Sequence, residues 1–116
     1  MAHGSTFKTV KLVSSYGIDR ASELAAALRA ALSASPRLSI DLSAASDMDV
    51  SAIQLLYAAK KSCVAKGGDC VLAGDVSAEL CERLLAGAVI KAKVRDGQEL
   101  ALALSSFMAI GADNDR

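Results

Sequence analysis

Residues 38–56 read LSIDLSAASDMDVSAIQLL, and this stretch decides the fold. Leu38, Ile40 and Leu42 alternate with polar residues, which predicts a strand with one buried face. A polar, acid-rich turn follows, and Ser51 stands where an apolar helix begins. The stretch therefore predicts a hydroxyl group at the rim of a sheet and at a helix N-terminus, where a phosphate or a partner can reach it.

The rest of the chain repeats this alternation of strand and helix patterns. Further strands are predicted over residues 6–13, 70–73 and 89–95. Four helices are predicted to begin near Asp19, Val50, Asp75 and Gln98, with Ser35-Pro36 ending the first and the last reaching Ile110. The order predicts an α/β fold with a mixed, mostly parallel sheet of about four strands and about four helices. Residues 1–116 are expected to form a single domain, with its core at 6–110 and tails at 1–5 and 111–116.

Composition narrows the classes of function. The formal charge is zero, and the chain contains two tyrosines, two phenylalanines and no tryptophan. Neither a net positive field nor a base-stacking surface is present, so nucleic acid is not an expected partner. No run approaches the roughly 20 apolar residues of a membrane-spanning helix, and MAHGST lacks the features of a secretory signal. We expect a cytoplasmic protein without membrane insertion.

The cysteines and the histidine do not form a catalytic pattern. Three cysteines lie among apolar residues without a C-x-x-C pair, which predicts buried free thiols: Cys63, Cys70 and Cys81. The only histidine, His3, lies in the predicted N-terminal tail, so a nucleophile paired with histidine is not expected. We predict a protein that is not an enzyme and has no cofactor.

Three aspartates near the sheet rim invite a metal-site interpretation. Asp41, Asp47 and Asp49 could bind Mg²⁺ or act as a receiver-type phosphorylation site, but the end of the first strand, KLVSSYG, supplies no carboxylate. Asp47 and Asp49 are interpreted instead as turn and cap residues, and no metal is predicted.

Two groups of basic residues are interpreted as ordinary surface. Lys91, Lys93 and Arg95 alternate with apolar residues, which predicts the outer face of a strand protected against edge-to-edge pairing. Lys60 and Lys61 are interpreted as a solvated helix face.

Ser51 has two interpretations from the residues alone. Gln54 follows three residues later, which is a capping-box pattern, and such a cap stabilises a helix by about 1 kcal/mol. The alternative is regulated chemistry at the Ser51 hydroxyl.

The segment DLS, a polar connection and D-x-S-A-hydrophobic-Q-L-L resembles the core motif of STAS domains, the sulfate transporter and anti-sigma factor antagonist family. The stretches GIDRASEL and GGDCVLAGDV resemble the entry to the first helix and the glycine turn before a strand of that family, and the resemblance spans residues 10–90. It implies that Asp49 takes the family aspartate and Ser51 the phospho-acceptor position. Val50 and Ala52 stand where the family motif has serine and glycine.

The resemblance implies two classes of function. The first is a regulatory interaction module, similar to an anti-sigma factor antagonist, that binds a serine-kinase anti-sigma factor and is released by phosphorylation of Ser51. The second is a soluble subunit that holds an ATPase of a lipid transporter or part of a chemosensory complex, with Ser51 as a cap and a contact. A weak homodimer is compatible with both. The implied partner-binding residues are Asp47, Asp49, Val50, Ser51, Ala52 and Ile53.

Overall fold

A computed structural model describes residues 7–104, which form three strands, four α-helices and a short 3₁₀ helix. The elements in chain order are β1 (Lys8–Tyr16), the 3₁₀ helix (Ile18–Arg20), α1 (Ala21–Ala34), β2 (Arg37–Met48), α2 (Val50–Ala65), β3 (Asp69–Ala73), α3 (Ala78–Ala86) and α4 (Gly97–Ala103). The predicted tails, His3 and the predicted end of the last helix lie outside the described residues.

The sheet has the order β1-β2-β3, and both strand pairs are parallel. The helices α1 and α2 connect successive strands and pack against each other and the sheet. Val10 pairs with Ile40, and Ile40 pairs with Leu72, so one apolar row crosses all three strands. The α/β prediction with a mostly parallel sheet is confirmed.

The second strand is longer than its alternating pattern predicted. The acid-rich residues after Leu42, expected as a turn, continue β2 as far as Met48 and pair with the second half of β1. The pairing shifts register twice, so β2 carries extra residues relative to β1. Each extra residue is left out of the pairing and changes which side chains face inward, and Ala45 and Met48 are buried as a result.

The predicted strand over residues 89–95 does not form. Ile90 and Val94 are buried as expected, but Ala92 is exposed and the backbone is irregular. The reason lies at the edge of β3, where Gly97 at the start of α4 packs against the backbone of Leu72 and Ala73. Since α4 occupies part of this edge, a fourth strand has no ladder to extend there.

Two local predictions about charged residues were also wrong. Asp19 does not cap α1, because it lies within the 3₁₀ helix and α1 begins without a side-chain cap. Lys60 is not solvated: it is 7% exposed, and its Nζ donates to Asp69 Oδ1 at 2.7 Å and to the Cys70 carbonyl at 3.2 Å. Lys61 is exposed, as predicted.

The three cysteines are buried free thiols, as predicted. Cys63 of α2 and Cys70 of β3 lie between helix and sheet, and burial raises the pKa of both thiols, that of Cys70 to about 12. A group that remains protonated and uncharged in the core acts as a small apolar side chain.

Candidate functional site

The candidate site lies where β1 and β2 end and α2 begins. Asp49 follows β2 directly, and its backbone N–H donates to the Tyr16 carbonyl, the last of β1, at 3.1 Å. Asp49 is extended and α2 starts at the next residue, Val50. The site is therefore fixed to the ends of two paired strands.

Asp49, and not Ser51, caps α2. One carboxylate oxygen, Oδ1, accepts the N–H of Ala52 at 3.2 Å and the hydroxyl of Ser51 at 2.6 Å. The capping box predicted for Ser51 and Gln54 is therefore wrong, since Ser51 is already the second residue of the helix. An ionised aspartate is favoured at this position because it accepts a backbone N–H and complements the positive end of the helix dipole.

The segment of β1 beside this helix start is irregular. Ser14 has φ +68°, a left-handed conformation that is uncommon for serine, and Val13 before it is 51% exposed. Arg20 contacts this segment on the side away from β2. Its Nη1 donates to the carbonyls of Val13 and Ser15, and its guanidinium lies 4.2 Å from the centre of the Tyr16 ring. The contacts of Arg20 with β1 could not be predicted from the sequence, because no motif or regular spacing connects these residues.

The three aspartates do not form a metal site. Asp41 accepts the backbone N–H and the hydroxyl of Ser43, and these bonds hold its pKa below the usual range. Asp47 Oδ2 lies 3.6 Å from Arg83 Nη1 of α3, and Asp49 caps α2. Across residues 7–104, no three His, Cys, Asp or Glu side chains are grouped to hold a metal ion.

Comparison with models of protein families matches residues 2–78, about two thirds of the chain, to the family described as "Mlab, STAS domain". The chain belongs to the STAS domain family. Neither the curated proteins nor the solved structures give a significant match. STAS domains in general are regulatory modules that bind other proteins and are not enzymes. No helix within residues 7–104 of this STAS domain is long and apolar enough to cross a membrane.

The six residues expected to bind a partner divide into two groups in the STAS domain. Val50 is 56% exposed, and Asp47, Asp49 and Ser51 are partly exposed. Ala52 and Ile53 are 1% and 5% exposed and belong to the core. The side chains of the first group form the exposed surface, and those of the second pack in the core and anchor the first turn of α2 beneath it.

A shallow depression adjoins Ser51 between α1 and α2 of the STAS domain. It has a volume of about 400 Å³ and is lined by Ala21, Ser22, Ala25, Ser51, Gln54 and Leu55. Small side chains on the α1 side leave one flank of the partly exposed Ser51 open, although its hydroxyl already donates to Asp49.

Proposed function

We propose that this STAS domain is a non-enzymatic signalling module of the anti-sigma factor antagonist type, acting in the cytoplasm on a serine-kinase anti-sigma factor. The observation that carries the proposal is the position of Ser51, a partly exposed serine on the first turn of α2 whose hydroxyl donates to Asp49 at 2.6 Å. The surface around it combines the exposed Val50 with carboxylates, which suits a protein partner better than a nucleic acid.

The uncharged serine is the partner-binding state in this proposal. Val50 offers apolar area at the centre of the surface, and Asp47 and Asp49 border it. Desolvated apolar contacts at the centre of an interface typically contribute most of the binding energy, whereas exposed charges at the rim mainly steer association.

Phosphorylation of Ser51 is the proposed release step. The kinase supplies ATP, a bond forms between Ser51 Oγ and the γ-phosphorus, and the bond from that phosphorus to the leaving oxygen of ADP breaks. The hydroxyl proton passes to a carboxylate, and Asp49 Oδ1 is the acceptor it already contacts. No redox partner or metal ligand from this chain is required.

The phosphate would change the surface in two ways. It adds a charge of about −1.5 to −2 at pH 7 and removes the hydroxyl hydrogen that Asp49 accepts. The helix N-terminus stabilises part of this charge, but Asp49 lies in direct contact and Asp47 two residues further back. Like-charge repulsion and the cost of desolvating a phosphate then oppose partner binding.

The test begins with phosphopeptide mass spectrometry on the protein isolated from its own cells, with identification of the proteins that co-purify. Phosphate on Ser51 together with a kinase partner is the expected result. Ser51→Ala should abolish the phosphopeptide, whereas Ser22→Ala, across the same depression, should retain it. Ser51→Asp should bind the kinase more weakly than the wild type, and equal binding would rule out the switch.

A second candidate function is a constitutive subunit that stabilises an ATPase of a lipid transporter or a chemosensory complex. It is favoured by the fact that Ser51 and Asp49 already satisfy each other and the start of α2, so neither requires a regulatory role. Val50 and Ala52 in place of the family serine and glycine point the same way. An unmodified Ser51 with a stably bound ATPase would support this alternative.

A further inference from the structure

β1 forms an edge of the sheet, and its backbone groups alternate between β2 and the exterior. Within residues 7–104 its only strand neighbour is β2. The N–H of Val13 donates to the Tyr16 hydroxyl at 3.3 Å, and its carbonyl accepts from Arg20 at 3.2 Å, so the backbone of Val13 faces away from β2. Because this direction alternates along a strand, the N–H and C=O groups of Thr9 and Lys11 face outward too.

Arg20 closes only the second half of this edge. Its Nη1 also donates to the Ser15 carbonyl at 2.8 Å, and its Nη2 lies 2.7 Å from Glu23 Oε2. A strand from another molecule therefore cannot pair with Val13 or Ser15 without displacing the guanidinium. The outward groups of Thr9 and Lys11 lie beyond its contacts, which leaves the first half of the edge for pairing.

Beside this open edge, the flank of α1 carries small exposed side chains that form a shelf. Ala27 and Ala30 lie four and seven residues after Glu23, on the same side of the helix, and both are exposed. Since α1 packs on β1 and runs back along it, Arg20 and Glu23 lie beside the end of β1 and the alanines beside its beginning. Alternate side chains of an added strand would rest on this shelf.

We propose that the first half of the β1 edge, residues 8–12, binds an extended segment of a partner protein that alternates apolar and acidic residues. Its backbone pairs with Thr9 and Lys11, its apolar side chains cover Ala27 and Ala30, and its acidic side chains, which alternate to the other face, lie beside the exposed Lys11. A second copy of this chain fits poorly, because two such edges would bring lysines together. This interface is separate from Ser51 and does not depend on the function proposed for it.

The test measures amide hydrogen exchange by NMR with a capped synthetic peptide of about nine residues, alternating valine and glutamate. We expect saturating peptide to slow exchange at Thr9 and Lys11 at least about tenfold, because both N–H groups would enter a ladder. A peptide alternating valine and lysine is the matched control and should leave both amides unchanged.

Two variants separate strand addition from general stickiness. Thr9→Pro removes an outward N–H and no bond to β2, so it should keep the far-UV circular dichroism spectrum and lose peptide binding. Lys11→Glu, which does not depend on tolerance of proline, should weaken binding of the glutamate peptide about two- to fivefold, the range of a cross-strand charge pair, and improve binding of the lysine peptide.

Three results would overturn the proposal. Thr9 and Lys11 amides already protected in the free protein would show that the edge is occupied by the chain itself. Concentration-dependent dimerisation abolished by Thr9→Pro would assign the edge to a second copy. Unchanged exchange at both amides with saturating glutamate peptide would exclude an acidic strand.

Discussion

Asp49 is the residue on which the candidate site depends. It joins β1 to the start of α2 through its backbone, and its carboxylate accepts both the Ala52 N–H and the Ser51 hydroxyl. Ser51, in contrast, donates one bond to a carboxylate and caps nothing. The two side chains therefore differ in their contribution to stability although they touch.

Asp49→Ala is expected to lower the free energy of unfolding by about 0.5–2 kcal/mol, because α2 loses its cap. Ser51→Ala should cost less than about 0.5 kcal/mol, since it removes no bond to the helix backbone. Urea denaturation followed by circular dichroism measures both. Asp49→Asn keeps an oxygen acceptor and serves as the control for charge. Equal losses in Asp49→Ala and Ser51→Ala would show that the serine does contribute a cap.

Cys70 shows how burial changes a single residue. Desolvation raises its pKa to about 12, so its thiol is protonated at pH 8. We expect a thiol-specific reagent at pH 8 to label none of Cys63, Cys70 and Cys81 in the folded protein and all three in urea. Rapid labelling without denaturant would contradict the burial of these residues.

The sign of the Cys70 shift also sets a pH dependence. A thiol in the unfolded chain has a pKa of about 8.5, and the folded value is higher. The contribution of the neutral thiol to stability is therefore complete below the unfolded pKa and is lost as the pH rises from there toward the folded value. Comparison of unfolding at pH 8 and pH 10 in Cys70→Ala and the wild type isolates this contribution.

At the level of elements, the contact between α4 and β3 explains why residues 89–95 add no fourth strand beyond β3. Gly97 lies so close to β3 that a Cβ atom there would be 2.7 Å from the Leu72 carbonyl oxygen and would overlap the Ala73 nitrogen. The N–H of Gly97 donates to the carbonyl of Gly74, the residue just after β3, at 2.8 Å. A residue without a side chain is thus required for the helix to reach the strand edge.

Gly97→Ala is expected to destabilise the protein by about 1–3 kcal/mol, the usual cost of overpacking against an element that cannot move. Gly87→Ala is the matched control: its φ is −84°, and an added Cβ would make only ordinary or slightly close contacts. The control should be neutral or slightly stabilising, because alanine lowers the entropy of the unfolded chain. Thermal unfolding of both variants gives the comparison. No loss in Gly97→Ala would mean that α4 can shift away from β3.

The ion pair between the buried Lys60 and the half-exposed Asp69 joins two other elements, α2 and β3. Its geometry is favourable, with 2.7 Å between Nζ and Oδ1, and the same Nζ also donates to the Cys70 carbonyl at 3.2 Å. Asp69 Oδ1 in turn accepts the Cys70 N–H at 2.8 Å. These bonds satisfy backbone groups of β3 with side chains, which leaves that position of the strand unavailable to another strand.

At the scale of the molecule, one apolar core runs through residues 7–104, since its members come from the three strands, the four α-helices and the segment between α3 and α4. A single core predicts a single cooperative unfolding transition. We expect urea curves from far-UV circular dichroism, which follows the helices, and from the fluorescence of Tyr16 and Tyr57 to coincide. Two separated transitions would show that the chain contains more than one folding unit.

The sequence by itself determined the class of fold, the position of most elements and the burial of the cysteines. The period of two in residues 38–42 and the helical spacing after Val50 each report a burial pattern that depends on near neighbours in the chain. The family motif around Asp49 and Ser51 is equally local, and the match over residues 2–78 confirms the family that it indicated.

Only the tertiary structure decided what depends on residues far apart in the chain. Lys60 is buried because Asp69 and the Cys70 carbonyl accept hydrogen bonds from its ammonium group. Residues 89–95 form no strand because α4 meets the edge of β3. The residues after Leu42 continue β2 to Met48 because they pair with the second half of β1, which brings Asp49 to the Tyr16 carbonyl. In each case the local sequence is compatible with two local structures. A contact with residues distant in the chain stabilises one of them.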